Sequence, residues 1–430
     1  MFTAEVFQNP YLPQGAREVN AIMTITTSGN EGVAVAAPTN QRLFGIICDT
    51  SGSMGGAKMI AAKDAIIKII NLLPTDAAFF VVTGAGRSKL LVPLVNAVPE
   101  NKLRAVSQVK EISANGGTLM STWLQTALGE FKKMPQAICQ ALLLTDGQND
   151  PSDGQDLARI LDESEGKFQC DCRGVGTDWQ VSQLQQIAAR LLGTTDIIAS
   201  PDRIADDFQE ILTKAMGKTV SDVSLRLWSP VGAKVLFCKQ VSPEIVDVTG
   251  RAKVVSDSLP ERLRQRIVDY PTGAWGSNES RDYHFCIQIN AGNVGDEMLA
   301  GRASLITQTN GQETKITEAK ILATWTEDEA KTAKIDRRVA HYTGQAELAQ
   351  SIQEGLEARA QGNIEVATVK LGKAVKLAHD SGNEATAKLL RSVVDVEDAA
   401  AGTVRIKRTV AKEDEMMLET RSTKTARIHK

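Results

Sequence analysis

Short apolar runs alternate with longer segments in which apolar residues recur every three or four positions, from residue 41 to residue 218. Continuous apolar runs are typical of strands buried on both faces, and the longer period is that of amphipathic helices. The runs predict strands at 43–48, 77–83, 88–92, 141–145, 168–174 and 196–199, and helices at 58–73, 100–112, 119–133, 154–165, 181–192 and 202–216. This alternation predicts an α/β domain with a doubly wound, mainly parallel sheet.

The chain on either side of this region has a different pattern. Apolar and polar side chains alternate in three stretches of residues 219–330, namely 223–227, 283–289 and 319–325. Short alternating strands predict an antiparallel β-sandwich. Residues 1–40 contain a similar stretch at 19–26 with no partner nearby. We therefore expect residues 1–40 to supply a strand to the sandwich, so that the α/β domain 41–218 is inserted into it.

The last hundred residues are predicted to be helical and then flexible. Within residues 331–400, apolar residues at helical spacing occupy 345–360, 364–380 and 383–394. These helices could form a tetratricopeptide-like hairpin or a small bundle that packs on the sandwich, and the sequence leaves both open. Residues 401–430 have few apolar side chains, which predicts a flexible tail.

Composition narrows the class of protein. The 430 residues are enough for two or three domains, and 49 Lys and Arg against 52 Asp and Glu give no charge field that favours nucleic acid. No stretch reaches the roughly 20 apolar residues of a membrane helix, so we expect no membrane contact. The N-terminus has neither a basic region nor an apolar region typical of a signal peptide, and a cytoplasmic protein is expected.

Two residue types are expected to be structural. The six cysteines are scattered and lie mostly in apolar runs, which predicts reduced core residues, although Cys170 and Cys172 could also form a redox or soft-metal pair. His284 lies on the polar side of its predicted strand without a second histidine nearby, so we expect it at the surface.

A polar loop follows the first buried strand of the α/β domain. Asp49, Ser51 and Ser53 place three oxygen-bearing side chains between this strand and the next helix. Hard oxygen ligands suit Mg²⁺ or Ca²⁺ and poorly suit Zn²⁺. A simpler interpretation is an N-cap, because Ser and Asp are common before helices.

Two further loops favour the metal interpretation. Asn115-Gly116-Gly117-Thr118 precedes one predicted helix, and Thr145-Asp146-Gly147 ends another apolar strand. In open α/β sheets, ligands bind beyond the carboxyl ends of the strands, where all three loops can meet.

The set Asp49-x-Ser51-x-Ser53, Thr118 and Asp146 resembles the metal-ion-dependent adhesion site of von Willebrand factor A domains of bacterial type. The resemblance covers about residues 41–218. It implies a site for Mg²⁺, or for Mn²⁺ or Ca²⁺, held by Asp49, Ser51, Ser53, Thr118 and Asp146. It also implies that the bound ion takes an Asp or Glu side chain from a partner protein.

The expected function is non-enzymatic. The four histidines lie outside the α/β domain, and no acid–base pair accompanies the loops. The glycines at 84 and 86, and those at 52–56, do not complete a nucleotide-binding motif. We expect a metal-dependent protein-binding scaffold in a bacterial signalling or stress assembly. The alternative is a metal-handling, chelatase-like subunit that works with a separate ATPase.

The C-terminal threonines suggest a second contact. Thr420, Thr423 and Thr425 lie among basic residues in the predicted flexible tail. Accessible phosphorylated threonines can be bound by arginine clusters of a partner. A Ser/Thr kinase and a forkhead-associated (FHA) domain protein are therefore candidate partners of the tail, and this arrangement resembles that of some bacterial A-domain proteins. The alternative is an ordinary solvated tail without such partners.

Overall fold

The protein is described by a computed structural model, which covers residues 2–28, 41–255, 266–309 and 312–427. The chain divides into two compact units. One unit combines Met1–Val33 with Asp222–Lys430, and the other is Ala34–Ser221. The second unit is thus inserted in sequence between two parts of the first, as predicted.

Strands and helices follow each other in blocks along the described chain. The strands are β1 (Phe2–Gln8), β2 (Tyr11–Leu12), β3 (Glu18–Thr27), β4 (Arg42–Asp49), β5 (Ala78–Gly84), β6 (Ser88–Asn96), β7 (Ile138–Thr145), β8 (Gln169–Val175), β9 (Thr195–Ile198), β10 (Lys218–Trp228), β11 (Lys234–Ser242), β12 (Val246–Asp247), β13 (Lys253–Val254), β14 (Ile267–Gly276), β15 (Ser280–Gln288), β16 (Glu297–Thr309), β17 (Gln312–Trp325), β18 (Val394–Asp398) and β19 (Thr403–Ile406). The helices are α1 (Ala57–Leu72), α2 (Pro99–Lys110), α3 (Met120–Phe131), α4 (Gly154–Ser164), α5 (Val181–Arg190), α6 (Ile204–Met216), α7 (Glu329–Thr332), α8 (Arg337–Ala360), α9 (Ile364–Asp380), α10 (Glu384–Val393) and α11 (Lys412–Arg421).

The inserted unit is the predicted doubly wound α/β domain. Its sheet has the order β6-β5-β4-β7-β8-β9, and every neighbouring pair is parallel except β5 with the edge strand β6. Helices α1, α2 and α6 pack together on one face, whereas α3, α4 and α5 form the other layer. Because helices cover both faces, the inner strands read as continuous apolar runs.

Strand β4 lies in the middle of this sheet. Phe44 and Ile46 belong to the core shared with α1 and α6. A side chain at Gly45 would lie 2.4 Å from the Phe80 ring and 2.8 Å from the Phe131 ring, so glycine permits close packing on the other face. This packing fixes the strand whose last residue is Asp49.

The other unit contains the predicted β-sandwich. One sheet has the order β1-β3-β15-β11-β12, and the second has the order β13-β14-β10-β16-β17-β2. Strand β3 pairs antiparallel with β15, with Val19 opposite Ile287, so the N-terminal segment does supply a strand. The sheets approach closely at Gly301, where a Cβ atom would lie 2.8 Å from Ile287.

The helices α8 to α10 form a bundle that packs on the sandwich, the second of the two open interpretations. At the start of α8, Val339 and Tyr342 share a buried cluster with Ile22 and Val241 of the sandwich. Farther along α8, Leu348 belongs to a separate core that includes α9 and α10. One long helix therefore joins the two cores of this unit.

The prediction of a flexible C-terminal tail is wrong for the described residues. Strands β18 and β19 form an antiparallel pair, and α11 packs into the core of the bundle. Leu418 has no exposed surface, and Met416 is buried as well. These few apolar side chains suffice because α11 adds to an existing core and need not form its own.

The threonines proposed for phosphorylation lie in this folded segment. Thr420 has no exposed surface. Thr423 Oγ1 donates to a Glu244 carboxylate oxygen at 2.8 Å, and Thr425 Oγ1 donates to the Val241 carbonyl at 2.7 Å. This packing removes the exposed, extended segment on which the phosphorylation hypothesis depended.

The six cysteines are free and buried, in agreement with the predicted core role. The prediction that His284 lies at the surface is wrong. The residue is 6% exposed, its Nε2 lies 3.0 Å from Asn20 Oδ1, and its ring packs edge-on against Phe237. On this face of the first sheet, Tyr342 of α8 packs with Ile22, which lies opposite His284, and donates a hydrogen bond to Asp282, so α8 covers the face that the sequence left polar. Among the described residues, no helix is both long and apolar enough to cross a membrane.

Candidate metal centre

The two candidate carboxylates lie at the ends of neighbouring strands. Asp49 is the last residue of β4, and Asp146 directly follows β7, which pairs with β4 in parallel. Parallel strands present their carboxyl ends at the same edge of a sheet, so both side chains lie at this edge. Both residues have no exposed surface.

The loop after β4 is ordered by its own side chains. Asp49 Oδ1 accepts a hydrogen bond from the Ser51 backbone N–H at 2.7 Å, and the chain then forms a 3₁₀ turn over Gly52–Met54. The Ser51 and Ser53 hydroxyls lie 3.0 Å apart. This turn therefore brings the three candidate side chains of the loop together, as the sequence predicted.

Backbone hydrogen bonds join this loop to the loop before α3. The Gly52 N–H donates to the Gly116 carbonyl at 3.0 Å, and the Asn115 N–H donates to the Thr50 carbonyl at 2.7 Å. Gly116 has a φ of +93°, a conformation that favours glycine. The Thr118 carbonyl accepts from the Asp150 N–H at 2.9 Å, so Thr118 is also tied to the third loop.

Oxygens from all three loops converge beside Gly147. A Cβ atom built on Gly147 would lie 3.5 Å from Ser53 Oγ, 3.5 Å from Thr118 Oγ1 and 4.0 Å from Asp49 Oδ2. Because Gly147 has no side chain, this space stays open to the three oxygens. Asp146 is connected to the same group, since its Oδ1 accepts from Ser53 Oγ at 2.7 Å.

The donor set fits a hard divalent cation. It consists of two carboxylates and three hydroxyls, and Mg²⁺ prefers such oxygen ligands. Within the described ranges there is no cluster of three or more His, Cys, Asp and Glu side chains placed to hold a metal ion. A cation here would thus depend on the hydroxyls of Ser51, Ser53 and Thr118 as well as on the carboxylates.

The electrostatics of the site also favour a cation. Burial raises the pKa of Asp49 above its ordinary value, and the negative charge of Asp146 adds to this effect. Hydrogen bonds from Thr145 and Ser51 lower the pKa of Asp49 and so oppose the shift. A cation close to the Asp49 carboxylate would stabilise its charged form.

Two contacts of this site were not predicted from the sequence. Thr145 Oγ1 donates to Asp49 Oδ2 at 2.5 Å, and Lys58 Nζ donates to Asp146 Oδ2 at 2.5 Å. Lys58 lies in the first turn of α1, where the helix dipole disfavours a positive charge. A lysine at this position suggests a nearby carboxylate.

Two family models match the chain. The von Willebrand factor type A domain matches residues 45–197, which contain all three loops. The von Willebrand factor type A C-terminal domain matches residues 376–422, which include the segment that the sequence analysis expected to be flexible.

The chain is also similar to individual proteins, among them a solved structure described as von Willebrand factor type A. A solved structure described as von Willebrand factor type A from Catenulispora acidiphila is 44% identical, with a TM-score of 0.92, over 99% of this chain and 97% of that chain. An uncharacterized protein of Synechocystis sp. is 26% identical over 209 residues, which is 47% of this chain and 49% of that protein. Human inter-alpha-trypsin inhibitor heavy chain H4 is 30% identical over 155 residues, covering 33% of this chain and 16% of that protein. The matches thus span half or less of these two curated relatives.

Proposed function

Because this chain belongs to the von Willebrand factor type A family, we propose that it is a non-enzymatic protein-binding module that takes an acidic side chain of a partner protein through a divalent ion. One observation carries the proposal. Oxygens of Asp49 and Ser53, from the loop after β4, and of Thr118, from the loop before α3, surround the open space beside Gly147.

The ion would be held by Asp49, Ser51, Ser53, Thr118 and Asp146. We propose Mg²⁺, with Mn²⁺ and Ca²⁺ as the other oxygen-preferring candidates. A bound ion supplies a Lewis-acidic position for one further oxygen ligand. The two carboxylates match the charge of a divalent ion, the hydroxyls carry no charge, and Lys58 beside Asp146 leaves the loaded site with a net positive charge, which favours a carboxylate of an Asp or Glu as the further ligand.

The protein's own residues would prepare this position. The Ser51 N–H and Thr145 Oγ1 hold the two oxygens of Asp49, and Ser53 Oγ holds Oδ1 of Asp146. Ligands fixed in this way lose little conformational freedom on binding, which favours affinity. The loops lie at the edge of the sheet, and Ser53 is exposed, so a partner's side chain can reach them.

A binding function also agrees with where the imidazoles lie. His284, His341 and His379, the histidines within the described ranges, belong to the unit that contains the sandwich and not to the inserted unit. The loops themselves offer carboxylates and hydroxyls. The proposal does not extend to a kinase or an FHA-domain protein, because the threonines that suggested them lie in a folded segment.

The proposal is tested by affinity capture from the native cell. Wild-type protein is immobilised in Mg²⁺ buffer, in chelator, and in chelator followed by excess Mg²⁺. We expect a partner to be retained with Mg²⁺, released by chelator and recovered when Mg²⁺ is restored. Asp49→Ala is expected to retain no partner under any of these conditions.

Asp64→Ala is the matched control, because Asp64 is an exposed carboxylate on α1. It is expected to behave like the wild type. Equal retention of the same partner by wild type and Asp49→Ala, or retention that chelator does not change, would contradict the proposal.

A further inference from the structure

We infer that Lys58 is a positioning residue that competes with the divalent ion for Asp146 and thereby sets the affinity of the site for the ion. The inference rests on the proposed function, since it concerns the same site. It adds an intramolecular cation to the five oxygen-bearing residues of the motif.

Both carboxylate oxygens of Asp146 have hydrogen-bond donors within the protein. Its side chain has no exposed surface, so each oxygen needs a partner within the protein. Oδ1 accepts from Ser53 Oγ at 2.7 Å, and Oδ2 accepts from Lys58 Nζ at 2.5 Å. The ammonium group of Lys58 therefore neutralises a carboxylate that the ion would also use.

The surroundings of Lys58 give its ammonium group a second position. Nζ lies 4.0 Å from Oδ2 of Asp178, whose side chain is 70% exposed. The lysine stem passes beside Gly176, where a Cβ atom would lie 3.8 Å from Cε. Gly176 has a φ of +69° and no side chain, so nothing of its own fills the space beside the stem. When an ion binds the Asp146 carboxylate, the ammonium group of Lys58 can pair with Asp178 instead.

The charges of the site determine the sign of the effect. Asp49 and Asp146 together carry two negative charges, and Lys58 reduces this to one. Like charges repel strongly at a partly buried site, so the lysine opposes entry of a divalent cation. With the ion bound, the same lysine adds positive charge beside the position for the partner's carboxylate. Lys58 thus lowers the affinity for the ion and favours an acidic partner.

The test measures binding of Mn²⁺ alone to the full chain, from the electron paramagnetic resonance signal of the free ion. Lys58→Met and Lys58→Gln remove the charge, and the glutamine keeps a hydrogen-bond donor. Both are expected to bind Mn²⁺ about tenfold more tightly than the wild type, a change of about 1.4 kcal/mol. Lys58→Arg keeps the charge and is expected to stay within about threefold of the wild type.

Lys63→Met is the control for loss of a lysine from the same helix, because Lys63 Nζ donates to the Lys110 carbonyl, away from the site. Its affinity for Mn²⁺ is expected to equal that of the wild type. A second readout is the melting temperature. In chelator, Lys58→Met leaves Asp146 without its cation and is expected to melt lower than the wild type, and saturating Mn²⁺ is expected to reduce this difference.

The outcomes separate the inference from the proposed function. Equal or weaker Mn²⁺ binding by both uncharged variants, beside clear binding by the wild type, overturns the inference and leaves the proposed function standing. No binding by any of the proteins overturns both. Binding by the uncharged variants alone supports strong competition by Lys58.

Discussion

Replacing Gly147 by alanine separates binding of the ion from stability of the fold. The added methyl carbon would lie 3.5 Å from Ser53 Oγ and from Thr118 Oγ1, and 4.0 Å from Asp49 Oδ2. These are ordinary contact distances, so the protein without an ion can accept the methyl group. Mg²⁺ needs its oxygen ligands near 2.1 Å and usually retains water molecules as well. The methyl group would take space that the ion and its water molecules require.

The expected changes in stability and in Mg²⁺ affinity follow from these distances and from the backbone conformation of Gly147. Gly147 does not have a positive φ, so alanine can adopt its backbone conformation. The change in the free energy of unfolding should therefore stay within about 1 kcal/mol of the wild type, because alanine at a compatible position also restricts the unfolded chain. Affinity for Mg²⁺ should fall at least about tenfold, or about 1.4 kcal/mol, through loss of an oxygen ligand or a bound water molecule.

The assay combines calorimetric titration with Mg²⁺ and urea unfolding in chelator. Gly117→Ala is the matched control, since Gly117 lies in the loop of Thr118 and an added Cβ atom would have no neighbour within 4 Å. It should bind Mg²⁺ like the wild type. The reasoning is refuted if Gly147→Ala binds Mg²⁺ as tightly as the wild type, or if Gly117→Ala loses the same affinity.

Three further predictions concern the unit that contains the sandwich. Burial, with a smaller contribution from Lys239, lowers the pKa of His284 to about 4. Between about pH 6.5 and pH 4 the unfolded chain therefore binds more protons than the folded chain, so the free energy of unfolding falls as the pH is lowered. Urea unfolding should show that this fall is up to about 3 kcal/mol larger in the wild type than in His284→Gln. Parallel pH profiles would contradict this. Leu418→Ala should lower the free energy of unfolding by about 2–4 kcal/mol, since Leu418 is fully buried, whereas an unchanged urea midpoint would mean that α11 is not part of the core. Deletion of residues 2–28 should lower the melting temperature, because β3 lies between β1 and β15, and an unchanged melting temperature would contradict its role in the sandwich.

The inserted unit was predictable because its signals are local. A strand buried on both faces must be apolar throughout, and β4 is such a run before Asp49. The motif then supplied the spacing of the three loops. Parallel strands end at one edge of the sheet, so the three loops were expected to meet there, and the resemblance to the family motif named the side chains.

The errors arose where a distant part of the chain decides burial. The polar side of the strand that contains His284 is covered in the structure, and Asn20, far away in sequence, is its hydrogen-bond partner. Strand β1 was not predicted, although Phe2, Ala4 and Val6 alternate with polar residues, and it gains its place by pairing with β3. The segment at Leu418 looked too polar to fold, yet it only completes a core that α8 and α9 have begun. The local sequence pattern does not indicate which distant residues will pack against these segments.

The site residues show the same division. The resemblance to the family motif named Asp49, Ser51, Ser53, Thr118 and Asp146. The structure joins four of them, Asp49, Ser51, Ser53 and Asp146, by hydrogen bonds, and it places Thr118 Oγ1 beside Gly147. The pairing of Lys58 with Asp146 could not be read from spacing, because it depends on how α1 packs beside β7. Its unfavourable place in the helix dipole was the only local sign.

Binding of a divalent ion by Asp49 and its neighbours is measured by calorimetric titration of Mn²⁺ into wild type and Asp49→Ala. Circular dichroism first establishes that both proteins are folded. We expect one Mn²⁺ bound per wild-type chain and no measurable binding by Asp49→Ala. Equal affinity and stoichiometry in the two folded proteins would contradict it.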